Sequence, residues 1–372
     1  MARSLSNRPA SPRWYSPLSR LRKPLGARCK MQEARDKRQE ARGKRQEARS
    51  KRQEARGKKE DNPASCILHP ASCILHPAAS VLHPASCILQ PLSVTVVGLG
   101  LMGASLAGAL RGKCARVIGV ARRAEVVETA LARGFVDEGT TDLLAGVREA
   151  DVVVLSTPVR VIVQQLAEIA PHLRPGCVVM DLGSTKKEIV AAMERLLPEH
   201  VQPLGAHPMC GKETSGIDVA EITLYQERTF ILTPLARTTP DTLALGVALA
   251  EAVGAKPLVL DADRQDYIVG TVSHLPYLLA CALVATADAT TSKDPAAWKI
   301  VAGGFRDTSR VAGSDVTMML DILMTNRDHV LAAVRECETQ LRRLADLVAA
   351  GDEDALRDAL TAIRNTRKEM FP

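Results

Sequence analysis

The chain has 372 residues, a formal net charge of +7 and 46% hydrophobic side chains, enough for two domains with ordinary cores. The charge surplus is local: residues 1–90 carry 20 Lys and Arg against 7 Asp and Glu, which leaves 29 and 35 for residues 91–372. The basic balance therefore belongs to a leader, and a nucleic-acid role read from overall charge is excluded for the acidic remainder.

Four of the nine cysteines lie in the leader. Cys114, Cys177, Cys210, Cys281 and Cys337 are scattered without a disulfide framework, which fits a reducing, cytoplasmic setting. The longest apolar run, residues 275–287, falls short of the roughly 18–20 residues of a membrane span. It reads as a buried helix, and no membrane partner is expected.

Residues 32–59 repeat QEARxK(R/K) and residues 63–90 repeat PASCILH with small changes, both with a seven-residue period. The first set lacks apolar a and d positions, so it is no coiled coil; a disordered leader is expected. Cys66, His69, Cys73 and His76 imitate metal spacing without the scaffold that a closed zinc site needs. No metal is expected here or elsewhere. Tandem repeats of this kind read as an over-extended frame before a working protein that starts near Pro91. Residues 1–32 contain no acid, which keeps an organelle transit peptide open as the alternative.

SVTVVGLGLMGASLAGAL, residues 93–110, is a β-branched run, a glycine turn and an Ala/Leu helix. Gly98, Gly100 and Gly103 form G-x-G-x-x-G, with Leu99, Leu101 and Met102 between them. A tight turn, a close backbone approach to a pyrophosphate and close helix–strand packing are the three glycine roles. The second strand, ending in GVARRAE, has Ala121 where an acid would take the NAD ribose, followed by Arg122 and Arg123. Guanidinium forks suit a 2′-phosphate, so NADP is preferred over NAD.

Further strands are expected at residues 150–159, ending in Thr157 and Pro158, at 176–181, ending in Asp181 before Ser184, and at 202–208 with His207 near its end. Strands TFILTP (229–234) and KPLVLD (256–261) close the sheet. Strand ends face the ligand crevice in such sheets, which brings Ser184 and His207 to one cleft. From residue 262 the pattern turns helical: one apolar helix over 264–287 with a kink at Pro276, a Gly- and charge-rich loop over 303–315, a helix over 316–351 and another over 352–370. The expected fold is α/β: a Rossmann-type doubly wound parallel sheet over 91–261, then an all-helical domain over 262–372 for substrate and dimerisation. A helical half of this size is expected to bury itself against a second copy, giving a homodimer.

In order along the chain stand G-L-G-L-M-G-A-S-L-A, D-L-G-S-T-K, H-P-M-C-G-K-E, S-H-L-P and G-G-F-R-D-T-S-R. Over residues 93–370 the chain resembles the prephenate/arogenate dehydrogenases of tyrosine biosynthesis. The resemblance implies an oxidative decarboxylation in which a hydride leaves the carbinol carbon for a nicotinamide and the ring carboxylate departs as CO2. It implies that His207 accepts the ring hydroxyl, with Ser184 hydrogen-bonding His207 or that same hydroxyl. It assigns the substrate carboxylates to His274 and Arg310, with Arg306 nearby, and gives Glu213 and Asp307 an ionic network around Arg310.

The chain departs from the family pattern where Gln265 and Asp266 replace a common His-Asp, and where Met318 and Met319 replace a large aromatic. Both changes are expected at the substrate rim. Other Rossmann-plus-helical oxidoreductases, such as β-hydroxyacid dehydrogenases, share the layout but lack the G-A-H-P-M strand end. A nucleotide-binding sensor with a basic nucleic-acid tail is the non-enzyme alternative, and the tail lacks an interleaved stacking pattern for bases.

Overall fold

A computed structural model describes residues 88–291, 293–294 and 296–371. The leader as far as residue 87, with its transit-like first residues and Cys66 to His76, lies outside the described residues, whereas Leu89, in the last repeat, is buried in the core. The sheet has eight strands: β1 (Ser93–Val97), β2 (Arg116–Val120), β3 (Glu138–Thr140), β4 (Val152–Leu155), β5 (Val178–Asp181), β6 (Gln202–Pro208), β7 (Thr229–Pro234) and β8 (Lys256–Val259). Their spatial order is β3-β2-β1-β4-β5-β6-β7-β8, so the order reverses between β1 and β4, the switch point where open α/β sheets bind ligands.

The expected parallel sheet needs one correction. β7 pairs antiparallel with β6, and β8 runs parallel to β7, so the last two strands oppose the first six. The cause lies in the connection. Residues 209–228 contain no α-helix, and without a crossover helix the chain returns beside β6 in the opposite direction.

Strand sequences explain the layers. Along β1 and β4, Val94, Val96, Val152 and Val154 join one buried cluster, while Val97, Val153 and Leu155 join another. Side chains alternate across a strand, so the two clusters are the two faces of the sheet, and a nearly continuous apolar run is what a doubly covered strand requires. The covering helices are α1 (Leu101–Leu110), α2 (Ala124–Ala132), α3 (Leu143–Val147), α4 (Val159–Ile169), α5 (Lys187–Leu196) and α6 (Pro240–Ala252). In α4, Val159, Ile162, Leu166 and Ile169 are buried at helical spacing, one apolar stripe turned to the core.

Beyond β8 the chain is helical: α7 (Ala262–Val269), a π-turn over Gly270–His274, α8 (Leu275–Thr291), α9 (Gly303–Ser309), α10 (Val316–Thr325), α11 (Arg327–Ala350) and α12 (Glu353–Met370). The expected loop at 303–315 is largely helical, as α9 followed by a 3-10 turn over Arg310–Gly313. The single helix expected over 316–351 is broken at Asn326. The kink expected at Pro276 takes the form of the π-turn just before it. Proline supplies no N–H to the helix ladder, and a widened turn is a common way to absorb the gap.

Residues 262–291 run as one helix whose most apolar 18-residue window has a mean hydropathy of 1.8, long and apolar enough to cross a membrane. The sequence reading missed this because Ser273 and His274 interrupt the apolar run without lowering its average. The buried helix expected at 275–287 is also corrected: in the single chain α8 buries only Ala280, and Leu279 is 44% exposed. Trp298, Ile300, Val316, Leu341, Val348, Leu360 and Ile363 are exposed in the same half.

Candidate active site

The glycine loop follows β1 at the switch point. Gly98 has φ +96°, and a Cβ there would lie 2.6 Å from the Ser156 carbonyl oxygen. A Cβ on Gly103 would collide with the Gly98 carbonyl, whereas one on Gly100 would meet nothing within 4 Å. Two of the glycines are thus required by the protein's own packing, and Gly100 keeps an open face. Gly100 is also the N-cap of α1, with no side-chain cap and no acid in the first turn. Free amides at such a helix start favour an anion. Beside the loop, Ser156 Oγ is buried without a partner. Open backbone, uncapped amides and an orphaned hydroxyl together fit a dinucleotide pyrophosphate.

The other residues expected at the cofactor divide. Leu99 and Leu101 are buried, and the Leu99 side chain fills the space above Gly119, so these two shape the loop from below. Met102 is half-buried, and its carbonyl accepts the Tyr225 hydroxyl at 2.7 Å. Thr157 donates to Gln165 Oε1 at 2.7 Å, and Pro158 caps α4 on the exposed edge. Arg122 and Arg123 are exposed at the start of α2, where Arg123 meets Glu125 at 3.4 Å.

Asp181 is not available to a cofactor. It is fully buried, and its carboxylate accepts the Gly183 N–H at 2.7 Å, the Ala206 N–H at 3.1 Å and the Lys186 ammonium. The β5–β6 ladder ends at Met180 and Leu204. Past that point Asp181 takes the Ala206 N–H, and Lys186 Nζ donates to the Ala206 carbonyl at 2.6 Å. A buried ion pair therefore replaces the ladder where the strands part. Burial drives the Asp181 carboxyl up and the Lys186 ammonium down, each held back by the other's charge.

This substitute ladder sets the end of β6, which carries His207. His207 is 8% exposed. Its Nδ1 lies 2.6 Å from Gln265 Oε1. Burial, reinforced by the Lys186 charge, pushes the imidazole down to about 3. Gln265 in turn donates from Nε2 to Asp266 Oδ1 at 2.6 Å. Asp266 also accepts the Lys186 and Lys187 amides, at 2.7 and 2.9 Å, so it caps α5 from a different element. Gln265 and Asp266 are 0% exposed; the expectation that they form the substrate rim is corrected, since they lie beneath His207. Of the two methionines, Met319 is buried and Met318 is 38% exposed.

Ser184 is half-buried on the β5–α5 turn and has no hydrogen bond among the described residues. The His207 bond expected of it belongs to Gln265, because Asp266 turns the Gln265 amide toward the ring. His274, in the π-turn, is 1% exposed. Asn326 Nδ2 reaches His274 Nδ1 at 3.2 Å and the Asp266 carbonyl at 2.7 Å. His274 Nε2 is buried with no partner, and burial lowers the ring to about 4. Arg310 Nη1 meets Glu213 Oε2 at 2.9 Å, which brings those two together as expected. Arg306 and Asp307 are exposed on α9, with no ion pair among the described residues.

Sequence reading passed over Asn326, Lys186 as a buried cation, and the Thr185–Thr325 hydroxyl contact at 2.8 Å. The signal for Asn326 was present: a lone amide where two apolar-periodic helices meet.

Fold and site together define a dinucleotide-binding oxidoreductase with a helical second half. The nucleotide-binding domain model of prephenate dehydrogenase matches residues 106–259, and the dimerisation domain model matches residues 261–362. The chain belongs to the prephenate dehydrogenase family. A prephenate dehydrogenase of Lactococcus lactis subsp. cremoris is 31% identical, over 74% of this chain and 77% of that one. A cyclohexadienyl dehydrogenase of Zymomonas mobilis is 31% identical, over 71% and 90%. Among solved structures, the prephenate dehydrogenase of A. aeolicus in complex with hydroxyphenyl propionate and NAD+ is 32% identical. It matches with a TM-score of 0.71 over 76% of this chain and 99% of that one. The arogenate dehydrogenase of Synechocystis matches at 0.66 and 32%, over 75% and 100%.

Proposed function

We propose that this enzyme oxidatively decarboxylates a cyclohexadienol: prephenate to 4-hydroxyphenylpyruvate, arogenate to tyrosine, or both. The observation that carries the reading is a buried, neutral imidazole, His207, at the end of β6, on the same strand-end edge as the glycine loop. A bound nicotinamide supplies the hydride acceptor. His207 accepts the proton of the ring hydroxyl as the carbinol carbon loses its hydride. Ser184 offers a hydroxyl to the same oxygen. Loss of the ring carboxylate as CO2 then leaves an aromatic phenolate, whose oxygen takes the proton back from His207.

His274 and Arg310 take the substrate carboxylates. His274 contributes a neutral N–H rather than a charge, and Arg310 contributes a cation steered by Glu213. Arg306 and Asp307 serve the outer edge. Gly98, Gly100 and Gly103 cradle the pyrophosphate, with Met102, Thr157 and Pro158 beside it. Arg122 and Arg123 favour NADP over NAD, because no acid stands at the end of β2 to hold a ribose 2′-hydroxyl.

The exposed apolar side chains of residues 262–371 are covered by a second copy of the chain in a homodimer. The long apolar helix at 262–291 belongs to that interface rather than to a membrane, and the location is cytoplasmic. The test is reduced-cofactor formation with each of the four pairs of prephenate or arogenate with NAD or NADP. Arogenate with NADP is expected to lead. Silence in all four from folded, dinucleotide-binding protein contradicts the assignment.

A further inference from the structure

Asp266 sits at the centre of two chains of hydrogen bonds that end on the two site histidines. Its side chain accepts from Gln265 Nε2, and Gln265 Oε1 faces His207 Nδ1 at 2.6 Å. Its backbone carbonyl accepts from Asn326 Nδ2, which also reaches His274 Nδ1 at 3.2 Å. We propose that Gln265 and Asn326, both anchored on Asp266, are positioning residues that lock His207 and His274 in opposite tautomers, one an acceptor and the other a donor toward the substrate.

The orientation of each amide follows from its anchor. The Asp266 carboxylate already accepts two backbone amides, so the Gln265 group facing it is the NH2. That leaves the Gln265 oxygen for His207. An amide oxygen only accepts, so His207 Nδ1 carries the proton and Nε2 keeps its lone pair. Asn326 works with reversed polarity. Its NH2 faces the Asp266 carbonyl, an obligatory acceptor, and the same nitrogen donates to His274 Nδ1. The His274 proton therefore sits on Nε2, the atom that is buried without a partner.

The chemistry makes use of the opposition. A hydroxyl that must lose its proton meets a lone pair at His207. An anionic carboxylate meets an N–H at His274. With burial holding both rings neutral, each histidine has one N–H and one lone pair, so the fixed tautomer decides which of the two faces the substrate. The charges that act on His207 are those of Lys186, which is paired with Asp181, and of His274, whereas His274 is shifted by burial alone. Gln265 adds no titratable group at a position where the family often has histidine. The inference rests on the proposed role of His207 as base, but the tautomers themselves are observable without turnover.

The experiment combines ring 15N NMR of the full chain at neutral pH with kinetics of three variants. In the wild type, Nδ1 of His207 and Nε2 of His274 are expected to be the protonated nitrogens. Gln265→Met keeps length and removes the acceptor: kcat is expected to fall about 10- to 100-fold, with substrate KM little changed and His207 no longer fixed in one form. Asn326→Asp replaces a donor with an acceptor: substrate KM is expected to rise about 10-fold or more, with the His274 proton moved to Nδ1. Gln265→Glu places a carboxylate against the ring and is expected to move the acid limb of kcat/KM up by about 1–3 pH units.

The proposal is overturned if the wild type shows either ring in the other tautomer. It is also overturned if Gln265→Met and Asn326→Asp both lower activity while the ring patterns and the kcat and KM split stay as in the wild type. An active His207→Asn variant would instead remove the base assignment and leave the tautomer result standing.

Discussion

His207 Nδ1 and Gln265 Oε1 meet at 2.6 Å between the end of β6 and the second turn of α7. This contact ties the sheet to the helical half at the residue on which the chemistry turns. The Asp266 cap on α5 and the Thr185–Thr325 bond run beside it. The site thus forms where the two halves of the chain are joined by buried polar groups, and such groups leave signatures in both stability and catalysis.

The first signature is an acid-sensitive fold. His207 and His274 are held near 3 and 4, against an ordinary value of 6.5. Between those limits the unfolded chain binds protons that the folded chain does not. Stability must therefore rise with pH through that window and fall as pH drops below about 6.5. Each histidine contributes a slope of up to about 1.4 kcal/mol per pH unit. Denaturant unfolding at pH 6.5 and pH 5 is expected to show this loss, and a His207→Asn, His274→Asn double variant is expected to show less of it. Equal slopes in both proteins would contradict the burial of neutral rings.

The Lys186–Asp181 pair gives a second. Lys186→Met leaves a buried carboxylate without its cation and is expected to destabilise by about 3–5 kcal/mol. Adding Asp181→Asn removes the stranded charge while keeping an acceptor oxygen for one of the Gly183 and Ala206 amides. The double variant is expected to recover part of the loss in chemical unfolding. A double variant less stable than Lys186→Met alone would show that the pair does not act as a unit.

Gly100 and Gly103 are expected to part company. Gly103→Ala drives a methyl into the Gly98 carbonyl and should lower Tm sharply. At Gly100 an added methyl meets only open space, so Gly100→Ala should unfold at the wild-type temperature yet bind dinucleotide at least about 10-fold more weakly, because the phosphate needs that backbone face. Calorimetry and cofactor titration separate the two effects. Unchanged cofactor affinity in Gly100→Ala would place the pyrophosphate elsewhere.

Cofactor choice rests on the end of β2. Replacing Ala121 with Asp and both Arg122 and Arg123 with Ala is expected to reverse the preference, raising kcat/KM for NAD relative to NADP by about 100-fold. A wild type that already favours NAD would assign the two arginines to the solvated surface.

Much of the fold was legible in the sequence because its signals are local. The Val-rich runs of β1 and β4 and the glycine turn at 98–103 each carry their own periodicity or punctuation. QPLGAHP and TFILTP fall on β6 and β7 residue for residue. The direction of β7 was not legible, since an extended strand looks the same both ways and only the helix-free connection betrays it. Nor was the helical content of 303–313, where glycines and charges hide a short helix. At the site, His207 stood out by its strand end, and the Arg310–Glu213 contact followed from the family motifs. The Gln265–Asp266–Asn326 hub did not. Asn326 lies 60 residues beyond Asp266 in sequence, and only the packing of α7 against α5 and α11 makes them neighbours.

The most direct measurement is turnover of prephenate and arogenate by wild-type protein and by His207→Asn, with cofactor affinity measured alongside. Wild-type protein should form reduced cofactor and release CO2 in equal amounts. His207→Asn should bind dinucleotide as before and lose about 100- to 10,000-fold in kcat. Wild-type turnover that survives intact in His207→Asn would contradict the assignment of His207 as the group that takes the substrate's proton.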